Sequence, residues 1–261
     1  MSRLQAANAS LGYESTVISR NLSVEIPDEK FTVIVGPNAC GKSTLLKALA
    51  RLLRPTQGHI MLDGEIIQSL PTKKVAQEIG LLPQGPVAPE GVRVVDLVNR
   101  GRYPYQKLFS PWTHDDDAAV SRAMTATGVH ELSGKLVDEL SGGQRQRVWM
   151  AVALAQETGV LLLDEPTTYL DLNHQIELLE LCRGLNQETG ATLVAVLHDL
   201  NQAARYGDHI IAMKQGAIVS QGSPDHVFTE DLLSEVFGVN ARVIRDPESE
   251  TPLIIPRWVH T

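Results

Sequence analysis

The chain has 261 residues, of which 43% are hydrophobic and 21% are charged, with a formal net charge of −8. That length can hold one large α/β domain or a domain with an insert, and the acidic balance disfavours nucleic acid as the main partner, since phosphate backbones bind to basic surfaces. Two cysteines indicate a reducing cytosol, and no segment has the apolar length of a signal peptide or a membrane span. If the chain works at a membrane, we expect it to dock there onto a partner that spans the bilayer.

The first part of the chain predicts a small antiparallel sheet beside the core. Period-two patterns predict short strands at residues 17–19 and 22–26. Residues 58–62 and 65–67 predict two further strands, joined by the dipeptide Asp63-Gly64 that is typical of tight hairpins.

A glycine-rich loop interrupts these strands and fits the pattern G-x-x-x-x-G-K-[ST]. It consists of Gly36, Pro37, Asn38, Ala39, Cys40, Gly41, Lys42, Ser43 and Thr44. Residues 32–35 predict a strand before the loop and residues 44–50 a helix after it, which is the context that the pattern requires. The two glycines let backbone N–H groups turn towards an anion, and the helix dipole favours the same site. We therefore predict a phosphate-binding loop in which Lys42 reaches the β- and γ-phosphates and Ser43 ligates Mg²⁺. The alternative is a glycine-containing turn without a ligand.

Helical patterns dominate the middle of the chain. Residues 79–84 predict a short apolar strand, and the turn-rich residues 85–91 mark a boundary before a helical insert that extends to residue 157. Residues 113–117 contain a histidine and three aspartates that could suggest a metal site. The favoured interpretation is a helix that Thr113 caps and whose first turn is acidic.

A second glycine-rich helix start lies within this insert, at residues 140–144, which read Leu-Ser-Gly-Gly-Gln. A helix N-terminus of this kind can bind an anion, but here it has no lysine-serine pair or carboxylate pair of its own. We therefore expect a partner molecule to supply the rest of the site. The alternative is a helix start without a ligand.

Buried strands resume after the insert. Continuous apolar runs at residues 160–164 and 192–198 predict parallel strands, with a helix at 173–185 between them. Residues 210–213 and 217–219 predict a hairpin, and 241–245 with 252–256 a smaller one at the edge. We predict a core with its antiparallel subdomain at 1–86 and 157–238, a helical subdomain at 87–156 and a C-terminal extension at 239–261.

Polar residues follow four of the predicted strands at their carboxyl ends: Gly36 with its loop, Gln84, Asp164 with Glu165, and His198. Open parallel sheets bind ligands at this edge, so one shared site is expected. Asp164 is the predicted Mg²⁺ partner, Glu165 the general base that polarises water, and Gln84 a ligand of Mg²⁺ or water. The alternatives are a helix-capping pair, a surface glutamine and a core histidine.

The chain resembles the nucleotide-binding subunit of ABC transporters over essentially its whole length. The resemblance lies in residues 36–44, 84, 140–144, 161–165, 168–171 and 198, in the family's order. It implies an α/β P-loop NTPase fold of ABC type, with a mainly parallel core, an antiparallel β subdomain and a helical insert. It also implies that two subunits enclose two ATP molecules. Each phosphate loop would face residues 141–144 of the partner, and this would complete the anion site at the second glycine-rich helix start.

The same resemblance implies a role for each site residue. Residues 36–44 match Walker A, Asp164 ends Walker B, Glu165 is the catalytic base and Gln84 the Q-loop residue. The remaining matches are the signature residues Ser141, Gly142, Gly143 and Gln144, the D-loop Asp171, the switch His198, and Tyr13 as the aromatic that stacks on adenine.

More narrowly, the chain resembles the ATPase of ferric-siderophore importers, in residues 101–105, 140–147, 164–168, 197–203 and 251–253. Cobalamin and haem importers share these features. The implied cofactors are ATP and Mg²⁺. The implied partners are a second copy of the chain, transmembrane permease subunits and, indirectly, a substrate-binding protein, with the chain attached to the cytoplasmic face of the membrane.

Two other functions compete with this one, and one residue departs from the family pattern. A non-transport ABC ATPase of DNA repair or translation is disfavoured by the acidic charge and the lack of a basic or coiled-coil insert. A nucleotide sensor without turnover is the other alternative. Ala39 occupies a loop position where glycine is common, and alanine resists positive φ angles.

Overall fold

The computed structural model describes residues 2–14, 16–106, 111–168 and 170–257. Its strands in chain order are β1 (Leu4–Tyr13), β2 (Thr16–Ile26), β3 (Phe31–Val35), β4 (Gln57–Leu62), β5 (Glu65–Ile66), β6 (Ile79–Leu82), β7 (Val160–Asp164), β8 (Thr192–Val196), β9 (His209–Lys214), β10 (Ala217–Gly222), β11 (Ala241–Arg245) and β12 (Pro252–Pro256). Its α-helices are α1 (Lys42–Leu49), α2 (Thr72–Glu78), α3 (Val94–Asn99), α4 (His114–Ala126), α5 (Gly142–Ala155), α6 (Leu172–Thr189), α7 (Leu200–Tyr206), α8 (Pro224–Val227) and α9 (Glu230–Leu232). Short 3₁₀ helices lie at Arg100–Arg102, His130–Leu132 and Val137–Glu139, and a π-helical turn at Leu233–Phe237.

The chain divides into two compact units. The first unit consists of residues 1–70 and 192–261, and the second of residues 71–191. The three-part division at 1–86 with 157–238, 87–156 and 239–261 stays a prediction.

An antiparallel sheet in the order β2-β1-β4-β5 forms part of the first unit, as the sequence predicts. Asp63 and Gly64 connect β4 to β5 with φ angles of 50° and 80°, the left-handed pair that a two-residue hairpin turn requires. The two short strands predicted at 17–19 and 22–26 are one continuous strand, β2. Its pairing with β1 contains irregularities, and Asn21 has a φ of 49°, which interrupts the period-two pattern.

The other sheet strands of the first unit have the order β10-β9-β3-β8. β3 pairs in parallel with both β8 and β9, whereas β10 returns antiparallel to β9. Every residue of β3 and β8 is buried, which explains why both sequences are continuous apolar runs rather than alternating ones. Because β3 and β8 run in the same direction, the loops that follow them leave the sheet at one edge.

The end of the described chain is a hairpin, formed by the antiparallel pairing of β11 with β12. This pairing confirms the predicted edge hairpin. The short helix α7 packs against β12 within the same unit. Residues 258–261 of the predicted extension lie outside the described residues.

The second unit combines a parallel strand pair with a helical core. β6 pairs with β7 so that Leu82 lies opposite Leu163. Helices α3, α4 and α5 bury one apolar cluster, which includes Val98, Val120 and Val148. The predicted cap of α4 is present: the backbone N–H of Asp116 donates to Thr113 Oγ1 at 3.2 Å, and that of Thr113 to Asp116 Oδ2 at 3.1 Å.

Differences from the predicted elements involve short helices and helix ends. α2 and α7 were not predicted, because seven residues cover only two turns and show no clear helical period. α6 continues to Thr189, four residues further than predicted, and ends at Gly190 in the left-handed conformation. β8 ends at Val196, so His198 lies in the loop beyond it rather than in the strand.

Candidate nucleotide-binding site

The phosphate loop joins the central strand β3 directly to helix α1. It has positive φ angles at Gly36 (156°), Ala39 (59°) and Gly41 (104°). A Cβ atom on Gly36 would lie 2.3 Å from the carbonyl oxygen of Met213 and 2.7 Å from Cys40 Sγ, so the first position admits only glycine. Left-handed residues at such a turn direct successive N–H groups to one side, which is the backbone geometry of an anion site.

Ala39 adopts the left-handed conformation that alanine resists. Its side chain is exposed, so burial of the methyl group does not offset the strain of this backbone conformation. The conformation costs about 1 kcal/mol relative to glycine. The replacement of glycine therefore leaves the loop geometry intact but stores strain in it.

The loop is held from outside by the turn between β9 and β10. The N–H of Gly216 donates to the carbonyl oxygen of Cys40 at 2.9 Å. A Cβ on Gly216 would lie 1.8 Å from the carbonyl oxygen of Ile18, so the close approach of this turn to β2 also requires a glycine. Burial raises the pKa of the Cys40 thiol, so the thiol stays protonated and is a poor nucleophile.

Lys42 places a nearly buried positive charge within the loop. The side chain is 5% exposed, and its Nζ donates to the carbonyl oxygens of Gly36 at 2.8 Å and Pro37 at 2.9 Å. A buried ammonium group requires such partners, and here the loop's own backbone provides them. Ser43 and Thr44 follow in the first turn of α1, where N–H groups have no acceptors within the helix.

His198 leaves the sheet at the same edge as the phosphate loop. Ile34 lies opposite Val196, and the N–H of Leu197 donates to Ile34 O at 3.3 Å. The side chain of His198 is exposed, so the interpretation as a core histidine is wrong. Tyr13 ends β1 with 44% of its surface exposed, and it too is no core residue.

The corresponding edge of the second unit carries Gln84, Asp164 and Glu165. Asp164 ends β7 and is 2% exposed, and Glu165 follows it with a φ of 53°. Gln84 Nε2 donates to Glu165 Oε2 at 2.7 Å, and Thr168 Oγ1 donates to the same oxygen at 3.3 Å. The parallel pairing of β6 with β7 thus brings two residues together that are far apart in sequence. A left-handed glutamate is strained, and such strain is common at functional sites.

The second predicted anion site is the N-terminus of α5. Ser141 is its N-cap: Ser141 Oγ accepts from the N–H of Gln144 at 3.2 Å, and Gln144 Oε1 accepts from the N–H of Ser141 at 3.2 Å. A Cβ added to Gly142 would meet no atom within 4 Å. The capping box fixes the direction of the helix, and Ser141 and Gly142 at its start are exposed.

Asp171 caps the next helix, α6. Its Oδ1 accepts from the N–H of His174 at 3.0 Å and lies 2.7 Å from His174 Nδ1, and these hydrogen bonds lower the pKa of Asp171. The sequence prediction missed the role of His174, although a histidine three residues after a capping aspartate is a local signal. Tyr169, which belongs with Asp171 to the matched residues 168–171, lies outside the described residues.

The residue types fit a magnesium nucleotide. Across the described ranges, no group of three or more histidine, cysteine, aspartate or glutamate side chains could hold a metal ion. The side-chain oxygens of Ser43 in the first unit, and of Gln84 and Asp164 in the second, are each of the type that Mg²⁺ prefers, and Mg²⁺ is usually bound by one or two carboxylates together with substrate phosphates. The excluded Cβ at Gly36 and the buried charge of Lys42 fit a phosphate group.

Comparisons with known proteins identify the family. The ABC transporter family profile matches residues 19–168. The ferric enterobactin transport ATP-binding protein FepC of Escherichia coli K12 is 53% identical over 98% of this chain and 94% of its own length.

Solved structures show the same fold. An inward-facing ABC transporter assigned to the metal-chelate type superposes with a TM-score of 0.83 at 28% identity, covering 98% of this chain and 97% of the other. A dimeric post-hydrolysis state of the ATP-binding cassette MJ0796 with ADP and Pi has a TM-score of 0.75 at 26% identity, covering 84% and 98%. No helix within the described ranges is long and apolar enough to cross a bilayer. The chain belongs to the ABC transporter family as an ATP-hydrolysing subunit with the P-loop fold, a mainly parallel sheet, an antiparallel sheet and a helical insert.

Proposed function

We propose that this ATPase powers the uptake of a ferric siderophore from the cytoplasmic face of the cell membrane. The observation that carries the proposal is the 53% identity to FepC over nearly the full length of both chains. The chain would work with transmembrane permease subunits and, through them, with a substrate-binding protein that delivers the iron chelate.

In the proposed site, the phosphate loop binds the nucleotide. Residues 36–44 cradle the phosphates with backbone N–H groups, and Lys42 neutralises charge on the β- and γ-phosphates. Tyr13 stacks on the adenine ring. Ser43, Gln84 and Asp164 would hold Mg²⁺, which stabilises negative charge on the phosphate oxygens.

Glu165 is the proposed general base for the attacking water. Its carboxylate accepts hydrogen bonds from Gln84 and Thr168, which fix its orientation, and a carboxylate so fixed can take a proton from water. Gln84 is therefore proposed to act on Glu165 as well as on Mg²⁺ or water. His198 is proposed to contact the γ-phosphate.

Two copies of the chain are proposed to form the working ATPase. Each phosphate loop would face the signature of the partner, so that Ser141, Gly142, Gly143 and Gln144 complete the site across the interface. The exposed, capped N-terminus of α5 supports this arrangement, because it offers an anion site that lacks a lysine of its own. Asp171 would lie near the same interface. Closure around ATP drives the transport step and hydrolysis reopens the dimer.

The transported ligand is tested by uptake in a strain that lacks the gene, complemented with the wild-type chain or with Glu165→Gln. The arms of the experiment are an iron-labelled catecholate siderophore, an iron-labelled hydroxamate siderophore, cobalamin and haem. We expect the wild-type gene alone to restore uptake of a ferric siderophore. Restored uptake of only cobalamin or haem would contradict the siderophore proposal while supporting import, and no restored uptake in any arm would contradict import of these chelates.

A further inference from the structure

Asn201 connects helix α7 to the C-terminal hairpin, the pair formed by β11 and β12. Its side-chain Nδ2 donates to the carbonyl oxygen of Ile254 at 3.3 Å, and its Oδ1 accepts from the N–H of Ile254 at 2.7 Å. The amide thus makes the same paired contact with Ile254 that a neighbouring strand residue would make. Ile254 is buried, so this contact anchors the inner side of β12 to the helix.

The same helix begins directly after His198. Asp199 is its N-cap, and Asp199 Oδ1 accepts from the N–H groups of Asn201 at 2.8 Å and Gln202 at 2.9 Å. On the other side, the hydrogen bond from Leu197 to Ile34 fixes the chain to the sheet. His198 is the residue between these two anchors, so its position depends on both the strand and the start of α7.

α7 is too short to be stable without tertiary contacts. It has seven residues, and isolated helices of that length do not persist in water. Its N-cap holds the first turn together locally, but the place of that turn in the unit depends on what it packs against. The hairpin is one such contact, and Asn201 is the polar link to it.

We propose that Asn201 is a positioning residue for ATP hydrolysis. Through its two hydrogen bonds with Ile254, the C-terminal hairpin holds the start of α7 and thereby keeps His198 in place. This inference rests on the proposed role of His198 at the γ-phosphate. It gives the C-terminal hairpin a part in catalysis without any contact of the hairpin with the nucleotide.

The test is a double-mutant cycle between Asn201→Ala and His198→Ala in the full chain, read by single-turnover hydrolysis of radiolabelled ATP. We expect His198→Ala to lower the rate about 100-fold and Asn201→Ala about tenfold, with ATP affinity within about threefold of wild type because the phosphate loop is untouched. In the double variant the rate should equal that of His198→Ala alone, because a residue that acts through His198 has no effect in its absence.

Two further variants separate positioning from stability. Asn201→Asp keeps the acceptor for the N–H of Ile254 and loses the donor, so its rate should lie between wild type and Asn201→Ala; it also serves if the alanine variant fails to fold. Ile255→Ala changes the exposed neighbour on the same strand, whose backbone pairs with Arg242, and should turn over as wild type.

Four results would overturn the inference. An equal loss of rate from Asn201→Ala with and without His198 would show that Asn201 acts independently of His198. A lowered melting temperature with an unchanged rate per folded molecule would make its role purely structural. If His198→Ala itself hydrolyses ATP as fast as wild type, the proposed function of His198 fails and this inference fails with it. If His198→Ala hydrolyses ATP slowly but Asn201→Ala hydrolyses it at the wild-type rate, only this inference fails.

Discussion

The phosphate loop and the Gln84–Glu165 pair are built in different ways. In the loop, the backbone provides the contacts: carbonyl oxygens of Gly36 and Pro37 hold Lys42, and the turn at Gly216 holds Cys40. In the pair, one hydrogen bond joins the exposed Gln84 side chain to Glu165, whose backbone is strained. Backbone contacts form a fixed binding surface, whereas side chains can change partners during a reaction cycle. We therefore expect the loop to determine ATP affinity and the pair to determine turnover.

The largest expected effect is on turnover in Glu165→Gln. Because the base is lost and the phosphate contacts remain, hydrolysis should fall by about 10³-fold while MgATP binding persists, and the variant should accumulate as an ATP-bound dimer. Size exclusion with ATP and a phosphate-release assay measure both, with the exposed Glu188→Gln as control. A purely monomeric Glu165→Gln beside a wild type that turns over would contradict the shared-site dimer.

Lys42→Ala should lower the affinity for ATP, in contrast to Glu165→Gln, which should lower turnover. Loss of the ammonium group at the β- and γ-phosphates should weaken ATP binding by at least about 100-fold. Isothermal calorimetry gives the Kd, and Lys47→Ala in the last turn of the same helix is the matched control. ATP binding at wild-type affinity by Lys42→Ala would refute the assignment of the loop.

Gln84→Ala should weaken the coupling between ATP hydrolysis and transport while leaving the affinity for ATP nearly unchanged. One amide contact is worth about 1 kcal/mol, so ATP affinity should change only a few fold, whereas less ligand should be taken up per ATP hydrolysed. Reconstituted vesicles with the permease give that ratio, and an unaltered ratio would rule out a coupling role.

Gln84→Glu tests the contact with Glu165 directly. A glutamate at position 84 cannot donate the amide hydrogen bond to Glu165, and it places a second negative charge at hydrogen-bonding distance from that carboxylate. Turnover measured by phosphate release at neutral pH should therefore fall, because the general base loses the contact that fixes its orientation. Turnover equal to that of the wild type would show that the two side chains do not interact in the working enzyme.

The smallest expected effect is a gain in stability from Ala39→Gly. Relief of the left-handed alanine should raise the free energy of unfolding by about 0.5–1 kcal/mol, and ATP affinity should stay within about twofold because the loop conformation is already formed. Urea denaturation measures the gain. A loss of stability would show that the loop does not hold residue 39 at positive φ in solution.

The elements that the sequence predicted correctly are those whose structure depends on neighbouring residues along the chain. The phosphate loop, the cap at Thr113, the Asp63-Gly64 turn and the buried strands each follow from residues within a few positions of one another. The sequence prediction was least successful for α2 and α7, where two helical turns give too weak a pattern and packing against the rest of the unit stabilises the helix.

The sequence by itself determined that a glycine-rich loop joins a strand to a helix at residues 36–41 and which strands would be buried, because spacing and local backbone preference govern both. Only the tertiary structure decided that Gln84 donates a hydrogen bond to Glu165, 81 positions further along the chain. The same holds for the hydrogen bonds between Asn201 and Ile254, which are 53 positions apart. Such pairs depend on how parallel strands and a terminal hairpin align in space. No local pattern encodes that alignment, since each partner taken alone is an ordinary polar or apolar residue in a loop or strand.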